Sequence, residues 1–191
     1  MGEAAFCLAY SHTARRLGWT LSLAAGCAAF ALAAAALRGL TLPLFAVAVM
    51  AFVALTLALR AMPAGGEARA TATPRWDIPV RMATATAVVV LITETAPMLG
   101  PRLSGVLGAF PVYAAILTVF GHRSGAAAAV QVLRGLLIGL FGFAGFFIVL
   151  GSLIERTSLL VAFAVAIAIT LAIQTASFHL MLRSPARGIA P

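Results

Sequence analysis

Long apolar stretches separated by short polar breaks make up most of the chain. A helix needs about 20 apolar residues to cross a bilayer core roughly 30 Å thick, where an open backbone cannot face lipid. Six stretches reach or approach this length, at residues 17–37, 40–62, 80–98, 104–121, 126–150 and 159–182. The pattern predicts an all-α, polytopic transmembrane helical bundle with about six spanning helices and a short N-terminal helical remnant.

Glycine, proline and polar residues fill the breaks, as in "GPRLSG" and "GHRSG". Only the break at residues 63–79 is long enough to be a linker, so it divides the chain. We predict two spanning helices in residues 1–62, a cytoplasmic linker at 63–79, four spanning helices in 80–183 and a tail at 184–191.

The first sixteen residues look like the end of a transmembrane helix, although an interfacial segment is the alternative. "AFCLAYSHTARRLGW" can be laid over "FFIVLGSLIERTSLL", and an Ala-rich span follows each. Three identical residue pairs then coincide: Phe6 with Phe147, Ser11 with Ser152, and Arg15 with Arg156. This order and length predict an internal repeat, with residues 1–62 as the remnant of a first copy and 80–183 as a complete second copy.

Composition and charge support the membrane assignment, and the charges also predict the orientation of the protein in the membrane. Apolar residues make up 63% of the chain, charged residues 9%, and the mean hydropathy is +1.09. The net charge of +8 comes from arginines at the ends of apolar stretches, without the aromatic-interleaved patch of a nucleic-acid-binding protein. A cytoplasmic N-terminus puts nine arginines inside and three outside, so we expect a bacterial inner-membrane protein with both termini cytoplasmic.

Glu94 is the most unusual residue of the predicted spans. It lies about 21 Å above Val80 by helix rise, where an ionised acid costs about 3 kcal/mol. Pro97 cannot donate to the Thr93 carbonyl, which leaves an acceptor beside the acid, and Thr93 and Thr95 offer hydroxyls. Pro111 breaks the next span at a similar depth, and two such breaks indicate a membrane-embedded site. Simple packing kinks are the alternative.

Arg134 is the second charge within a predicted span, about 12 Å above Ala126. It could pair with Glu94 across about 9 Å of height, or extend to the cytoplasmic headgroups instead. Beside it runs a face of small residues that lets another helix approach closely: Gly135, Gly139, Gly142 and Gly145. We place seven residues at a substrate-binding site or pathway: Thr93, Glu94, Thr95, Pro97, Pro111, Tyr113 and Arg134.

Motifs for other chemistry are absent from the sequence. No His, Cys or carboxylate residues share metal-ligand spacing, and we expect no metal or cofactor. An intramembrane enzyme would have to be built from Glu94, Tyr113 and the histidines, so catalysis is not predicted. Gln174 is expected to form a hydrogen bond between helices.

The stretch "GPRLSGVLGAFPVYAAILTVFGHRSGAAAAVQVLRGLLIGLFGFAGFF" resembles a pattern in bacterial inner-membrane proteins with two related halves. It is also similar, more distantly, to the GlpM family, which is linked by genetics to alginate production. The shared features are a Gly-rich turn, a span that opens with Phe110 and Pro111, a glycine in an inner loop, and "LRG" at residues 133–135. The resemblance covers residues 81–150 and implies that the first half is truncated here, either in an N-terminally shortened form or through a misplaced start codon.

These features predict an integral inner-membrane protein that moves a small solute, as a transporter or permease-like protein. The alternative is a non-catalytic membrane component that supports envelope polysaccharide biosynthesis or export. The lipid bilayer is the expected partner, and a second copy or another membrane protein is left open.

Overall fold

The computed structural model describes residues 1–63, 76–108 and 110–183 of the 191-residue chain. Seven α-helices are found there: α1 (Gly2–Thr13), α2 (Trp19–Leu37), α3 (Leu44–Ala61), α4 (Asp77–Gly108), α5 (Val112–Arg123), α6 (Ala126–Leu153) and α7 (Leu159–Arg183). These ranges contain no strand, so the predicted all-α architecture is confirmed. The tail at 184–191 and most of the linker at 63–79 lie outside the described residues.

Five helices in the described ranges have the length and apolar composition to cross a bilayer. Their apolar windows are Trp19–Leu37, Leu44–Ala61, Ile78–Thr95, Ala126–Leu153 and Leu159–Ser177. No more than 17% of any window is buried inside the protein, whereas a soluble protein buries helices that are apolar all round. The chain is therefore a multipass membrane protein.

The predicted span at residues 104–121 differs from the structure. Helix α4 continues through "GPRLSG" to Gly108, where the sequence predicts a loop, and α5 begins only at Val112. The 12 residues of α5 extend about 18 Å, which is too short to cross the hydrocarbon core. Helix α5 begins late and is short because the chain turns at Pro111, and tertiary contacts stabilise this turn.

Pro111 has φ −76° and ψ 63°, the conformation of an inverse γ-turn. The Val112 amide donates to the Phe110 carbonyl at 2.7 Å, which closes this turn. The Phe110 ring meets the rings of Phe6 and Phe30 edge-on, at centroid distances of 6.5 and 5.5 Å. Aromatic packing from α1 and α2 thus supports the backbone where α5 starts.

Contacts divide the chain into two compact units, and α3 and α6 contribute to both. The first unit combines Met1–Leu40 with Leu57–Leu136, and the second combines Thr41–Thr56 with Leu137–Pro191.

In the first unit, the short helix α1 is buried along α2. Phe6 and Tyr10 have no exposed surface. A Cβ atom added at Gly2 would lie 2.8 Å from the Phe30 ring, and one at Gly26 would lie 2.9 Å from the Phe6 ring. Glycine at these two positions lets each phenyl ring contact the opposite backbone.

Helices α4 and α5 form the other seam of the first unit. One face of α5 presents Val112, Ile116 and Phe120, which pack against Ala85, Val88 and Ile92 of α4. The chain then turns at Gly125, whose φ of +110° favours glycine, and α6 begins at Ala126. Gly121 lies close to the Ala129 backbone, so α5 and α6 also approach closely.

In the second unit, helix α6 forms a hairpin with α7 and also contacts α3. The Phe146 and Phe163 rings join α6 to α7 at a centroid distance of 6.0 Å. The Phe52 ring of α3 lies 5.8 Å from that of Phe141.

Candidate functional site

Glu94 lies exposed on α4, at the far end of the apolar window Ile78–Thr95. The Thr93 hydroxyl donates to the Val89 carbonyl at 2.8 Å, and the Thr95 hydroxyl donates to the Leu91 carbonyl. Both threonines therefore bond to their own helix rather than to the acid. Helix α4 continues through Pro97, so the helix does not end beside Glu94.

Arg134 contacts the end of α3. Its Nη1 atom donates to the Met62 carbonyl at 3.5 Å and to the Pro63 carbonyl at 3.4 Å. A guanidinium at this place compensates the partial negative charge of a helix C-terminus. Within the described chain no ion pair joins Arg134 to Glu94, so the structure does not bring these two predicted residues together.

The small-residue face of α6 receives side chains from α7. A Cβ atom at Gly142 would lie 2.6 Å from Gln174 Nε2, and one at Gly145 would lie 2.5 Å from Ile173 Cδ1. Gln174 Nε2 donates to the Gly139 carbonyl at 2.9 Å, which confirms the hydrogen bond expected between helices. Gly135 has open space around it and is exposed, so it does not share this contact.

A largely buried polar cluster lies between α1 and α5. We define it by Tyr10, Thr118 and His122. The Tyr10 hydroxyl lies 3.4 Å from the Thr118 carbonyl oxygen and 3.3 Å from His122 Nδ1. Tyr10 and Thr118 have no exposed surface, and His122 is half-buried.

Donor and acceptor chemistry gives an arrangement of protons that makes both contacts of Tyr10 hydrogen bonds. The Thr118 carbonyl only accepts, and the Tyr10 hydroxyl has a single proton to donate. Both contacts are hydrogen bonds when His122 Nδ1–H donates to the Tyr10 oxygen and the hydroxyl donates to the carbonyl. The Thr118 hydroxyl takes no part, since it donates to the Ala114 and Ala115 carbonyls of its own helix.

Apolar walls around the polar cluster lower its dielectric constant. The Tyr10 ring stacks with Phe6 at 6.0 Å and meets the His122 ring edge-on at 6.1 Å. Burial lowers the pKa of the His122 imidazole, which favours its neutral form. Burial also raises the pKa of the Tyr10 hydroxyl, which favours its protonated form.

A further buried hydroxyl, that of Ser22, lies on α2. Ser22 has no exposed surface, and its Oγ atom has no hydrogen-bond partner in the described ranges. The pairs Gly2 with Phe30 and Phe6 with Gly26 fix an antiparallel register for α1 and α2. This register places Ser22 at the level of Tyr10, so the interior of the first unit has a polar layer at this height.

Of the predicted pathway residues, Tyr113 and Pro111 lie nearest to the polar cluster along the chain, at the start of the helix that carries Thr118 and His122. Tyr113 points away from the protein interior, with 67% of its surface exposed. The sequence places His122 in the polar break "GHRSG" and assigns no role to Tyr10 or Thr118. The i, i+4 spacing of Thr118 and His122 was the available signal, whereas their distance from Tyr10 along the chain concealed the third member.

The described residues contain no group of three or more His, Cys, Asp or Glu side chains that could hold a metal ion. Cys7 and Cys27 are free thiols, the first buried and the second half-buried. No protein-family model, curated protein sequence or solved structure matches this chain.

Proposed function

We propose that this multipass membrane protein moves a small polar solute through the first unit, past the polar cluster of Tyr10, Thr118 and His122. One observation supports the proposal: these buried polar groups lie between α1 and α5, two helices of 12 residues each. Short or broken helices with polar groups between them are typical of substrate sites in secondary transporters. Small neutral molecules with a hydroxyl or amide group match the hydrogen-bonding groups of the cluster.

Transport is tested with the purified protein in lipid vesicles. Stopped-flow light scattering follows the entry of glycerol and urea, and encapsulated pyranine follows protons. We expect Tyr10→Phe to lower the flux of a transported solute about fivefold, since a lost hydrogen bond is worth about 1 kcal/mol. Tyr113→Phe is the matched control, because Tyr113 is exposed outside the polar cluster.

His122→Gln should also lower the flux, while His12→Gln should leave it unchanged, since His12 bonds to the Leu8 carbonyl of its own helix and is not part of the polar cluster. Absence of flux for all three probes, or equal flux in Tyr10→Phe and the unaltered protein, would contradict the proposal.

A second candidate function rests on Glu94. We propose that the chain is a membrane component whose α4 binds another membrane protein, as the resemblance to proteins linked with envelope polysaccharide production implies. No residue of the window Ile78–Thr95 is fully buried and Glu94 is exposed, yet an ionised acid costs about 3 kcal/mol in hydrocarbon. A polar or cationic group from a partner helix would remove that cost.

This second function is tested by co-purification from native membranes. Glu94→Gln should lose a stably bound partner, or a second copy, that the unaltered protein retains. Glu155→Gln is the matched control, because Glu155 is exposed in the turn between α6 and α7. Recovery of the same assembly with both variants would contradict a role for Glu94.

We further propose that the protein resides in a bacterial inner membrane with both termini in the cytoplasm. The arginine distribution supports this orientation. A C-terminal alkaline phosphatase fusion should be inactive and a C-terminal fluorescent-protein fusion should fluoresce; the opposite pair of results would reverse the orientation.

A further inference from the structure

Three polar side chains are fully buried in the described ranges, and they differ in their hydrogen bonds. The Ser11 hydroxyl donates to the Leu8 carbonyl at 2.8 Å, and the Thr118 hydroxyl donates to carbonyls of its own helix. Serine and threonine in helices commonly satisfy their hydroxyls in this way. The Ser22 hydroxyl has no hydrogen-bond partner in the part of the chain that the structure describes, so its proton and its lone pairs are both unused.

The α6–α7 hairpin shows what packing requires at the position of Ser22. By matching backbone hydrogen bonds, Ala162 corresponds to Ser22 and Leu150 corresponds to Tyr10, each at a residue number 140 higher. Ala162 has no exposed surface, so a methyl group fills this position in the other hairpin. The Ser22 hydroxyl is therefore not needed for two helices to pack with this turn.

An unpaired hydroxyl inside a protein lowers its stability, because the group has lost its hydrogen bonds to water. Alanine would avoid this loss at Ser22, as it does at Ala162. Groups that reduce stability without serving the fold are typical of functional sites. The Ser22 hydroxyl therefore fits a role in binding better than a role in folding.

The position of Ser22 indicates what it binds. It lies at the level of Tyr10 in the antiparallel register of α1 and α2, and α2 also contacts α5, which carries Thr118 and His122. The Tyr10 and Thr118 hydroxyls each have a carbonyl partner. Ser22 thus adds to this polar layer a hydroxyl whose hydrogen-bonding capacity is still available.

We infer that Ser22 is a solute-binding residue, whose hydroxyl forms a hydrogen bond with the hydroxyl or amide group of a small neutral solute. This inference rests on the proposed transport function and adds α2 to the helices that contact the solute. A serine hydroxyl donates and accepts without carrying charge, which matches an uncharged solute. Ser22 is enclosed in this conformation, so the solute reaches it when the helices around the polar cluster separate, as alternating access requires.

Solute flux into lipid vesicles and the melting temperature, measured on the same variants, test this role. Ser22→Ala should lower the flux of glycerol or urea about fivefold, the effect of one neutral hydrogen bond. The same variant should raise the melting temperature by about 2 °C, because it removes an unpaired buried hydroxyl. Ser11→Ala is the matched control: Ser11 is equally buried but has a partner, so its variant should leave the flux unchanged and should not raise the melting temperature.

The possible outcomes separate this inference from the transport proposal. Equal flux in Ser22→Ala and the unaltered protein would overturn the role of Ser22 and leave transport intact. Lower flux together with a lower melting temperature would also overturn it, since the hydroxyl would then stabilise the fold. Absence of flux in the unaltered protein would contradict transport itself, and with it the inference.

Thiol labelling tests directly whether the solute reaches Ser22. In a Cys7→Ala, Cys27→Ala background, Ser22→Cys should react with 2-aminoethyl methanethiosulfonate. The transported solute should slow this reaction about twofold at a concentration equal to its dissociation constant. Ser152→Cys, exposed near the end of α6, should react at the same rate with and without solute. An unreactive Ser22→Cys beside a reactive Ser152→Cys, or a rate that the solute does not change, would overturn the inference.

Discussion

Two hairpins of this protein have the same turn but different surroundings. Between α1 and α2, the Arg16 and Leu17 amides donate to the Thr13 carbonyl. Between α6 and α7, the Arg156 and Thr157 amides donate in the same way to Leu153, and each residue number is 140 higher than its counterpart. The flanking bonds also match: Ala14 to Tyr10 with Ile154 to Leu150, and Ser22 to Gly18 with Ala162 to Ser158.

Buried positions on the second helix of each hairpin match at the same offset. Ser22 and Gly26 are buried on α2, and Ala162 and Ala166 are buried on α7. The hairpins differ on their first helix, where Phe6 is fully buried and its counterpart Phe146 only half-buried. Phe6 packs on both α2 and the start of α5, and this additional helix decides its burial. One turn geometry can therefore support two very different interiors.

The matching hydrogen bonds of the two turns can be compared with the alignment on which the predicted repeat depends. The sequence alignment placed Arg15 on Arg156, whereas the hydrogen bonds place Arg16 there. Apolar segments resemble one another at several offsets, whereas backbone hydrogen bonds define a single register for the two turns. The two alignments therefore differ by one residue. The repeat itself stays a prediction.

The largest expected difference between the hairpins comes from removing their equivalent phenyl rings. Phe6→Ala should lower the free energy of unfolding by about 3 kcal/mol, because it empties a fully enclosed site. Phe146→Ala should cost about 1 kcal/mol or less, since its ring is half-buried. Thermal unfolding in detergent, followed by near-ultraviolet circular dichroism, measures both; equal losses would show that α5 adds nothing to the burial of α1.

The glycine contacts should give the next largest difference. Gly26→Ala places a methyl group 2.9 Å from the enclosed Phe6 ring, so we expect a loss of about 2 kcal/mol. Gly142→Ala meets the flexible Gln174 side chain and should cost about 1 kcal/mol, mainly through its hydrogen bond to Gly139. The same unfolding assay applies, and a larger loss for Gly142→Ala than for Gly26→Ala would contradict the expected order.

The first hairpin should respond to pH through His122, which contacts Tyr10 of α1. Burial lowers the pKa of His122 in the folded protein, so as the pH falls through about 6.5 the unfolded chain binds the proton first. Stability conferred by neutral His122 is complete above that pH and is lost as the pH falls through the lowered folded value. We expect the melting temperature to drop between pH 7 and 5, and His122→Gln to reduce that drop. An unchanged pH profile in His122→Gln, with His12→Gln as the control, would exclude this explanation.

The smallest effect is expected at Gly135, which belongs to the small-residue face by sequence but not by contact. A Cβ atom there meets nothing within 4 Å. Gly135→Ala should therefore change the free energy of unfolding by less than about 1 kcal/mol, and in the stabilising direction, because alanine favours a helix. A clear loss of stability in the unfolding assay would show that another helix covers Gly135 in the membrane.

The sequence alone determined that the protein is helical and spans a membrane, because a spanning helix must bond its own backbone and cover its length with apolar side chains. It also located the turns after α2, α5 and α6, where glycine, arginine and polar residues accumulate. The residue types within each segment are sufficient to predict both the spanning helices and the turns.

Tertiary structure decided which polar groups meet and which stay apart. Tyr10 reaches Thr118 and His122 from more than one hundred residues away, and Arg134 donates to carbonyls at the end of α3 instead of pairing with Glu94. The short helix α5 likewise depends on Phe110 packing against α1 and α2. Periodicity and composition describe each helix by itself, whereas contacts between helices depend on shape, so the polar cluster emerged only from the packed fold.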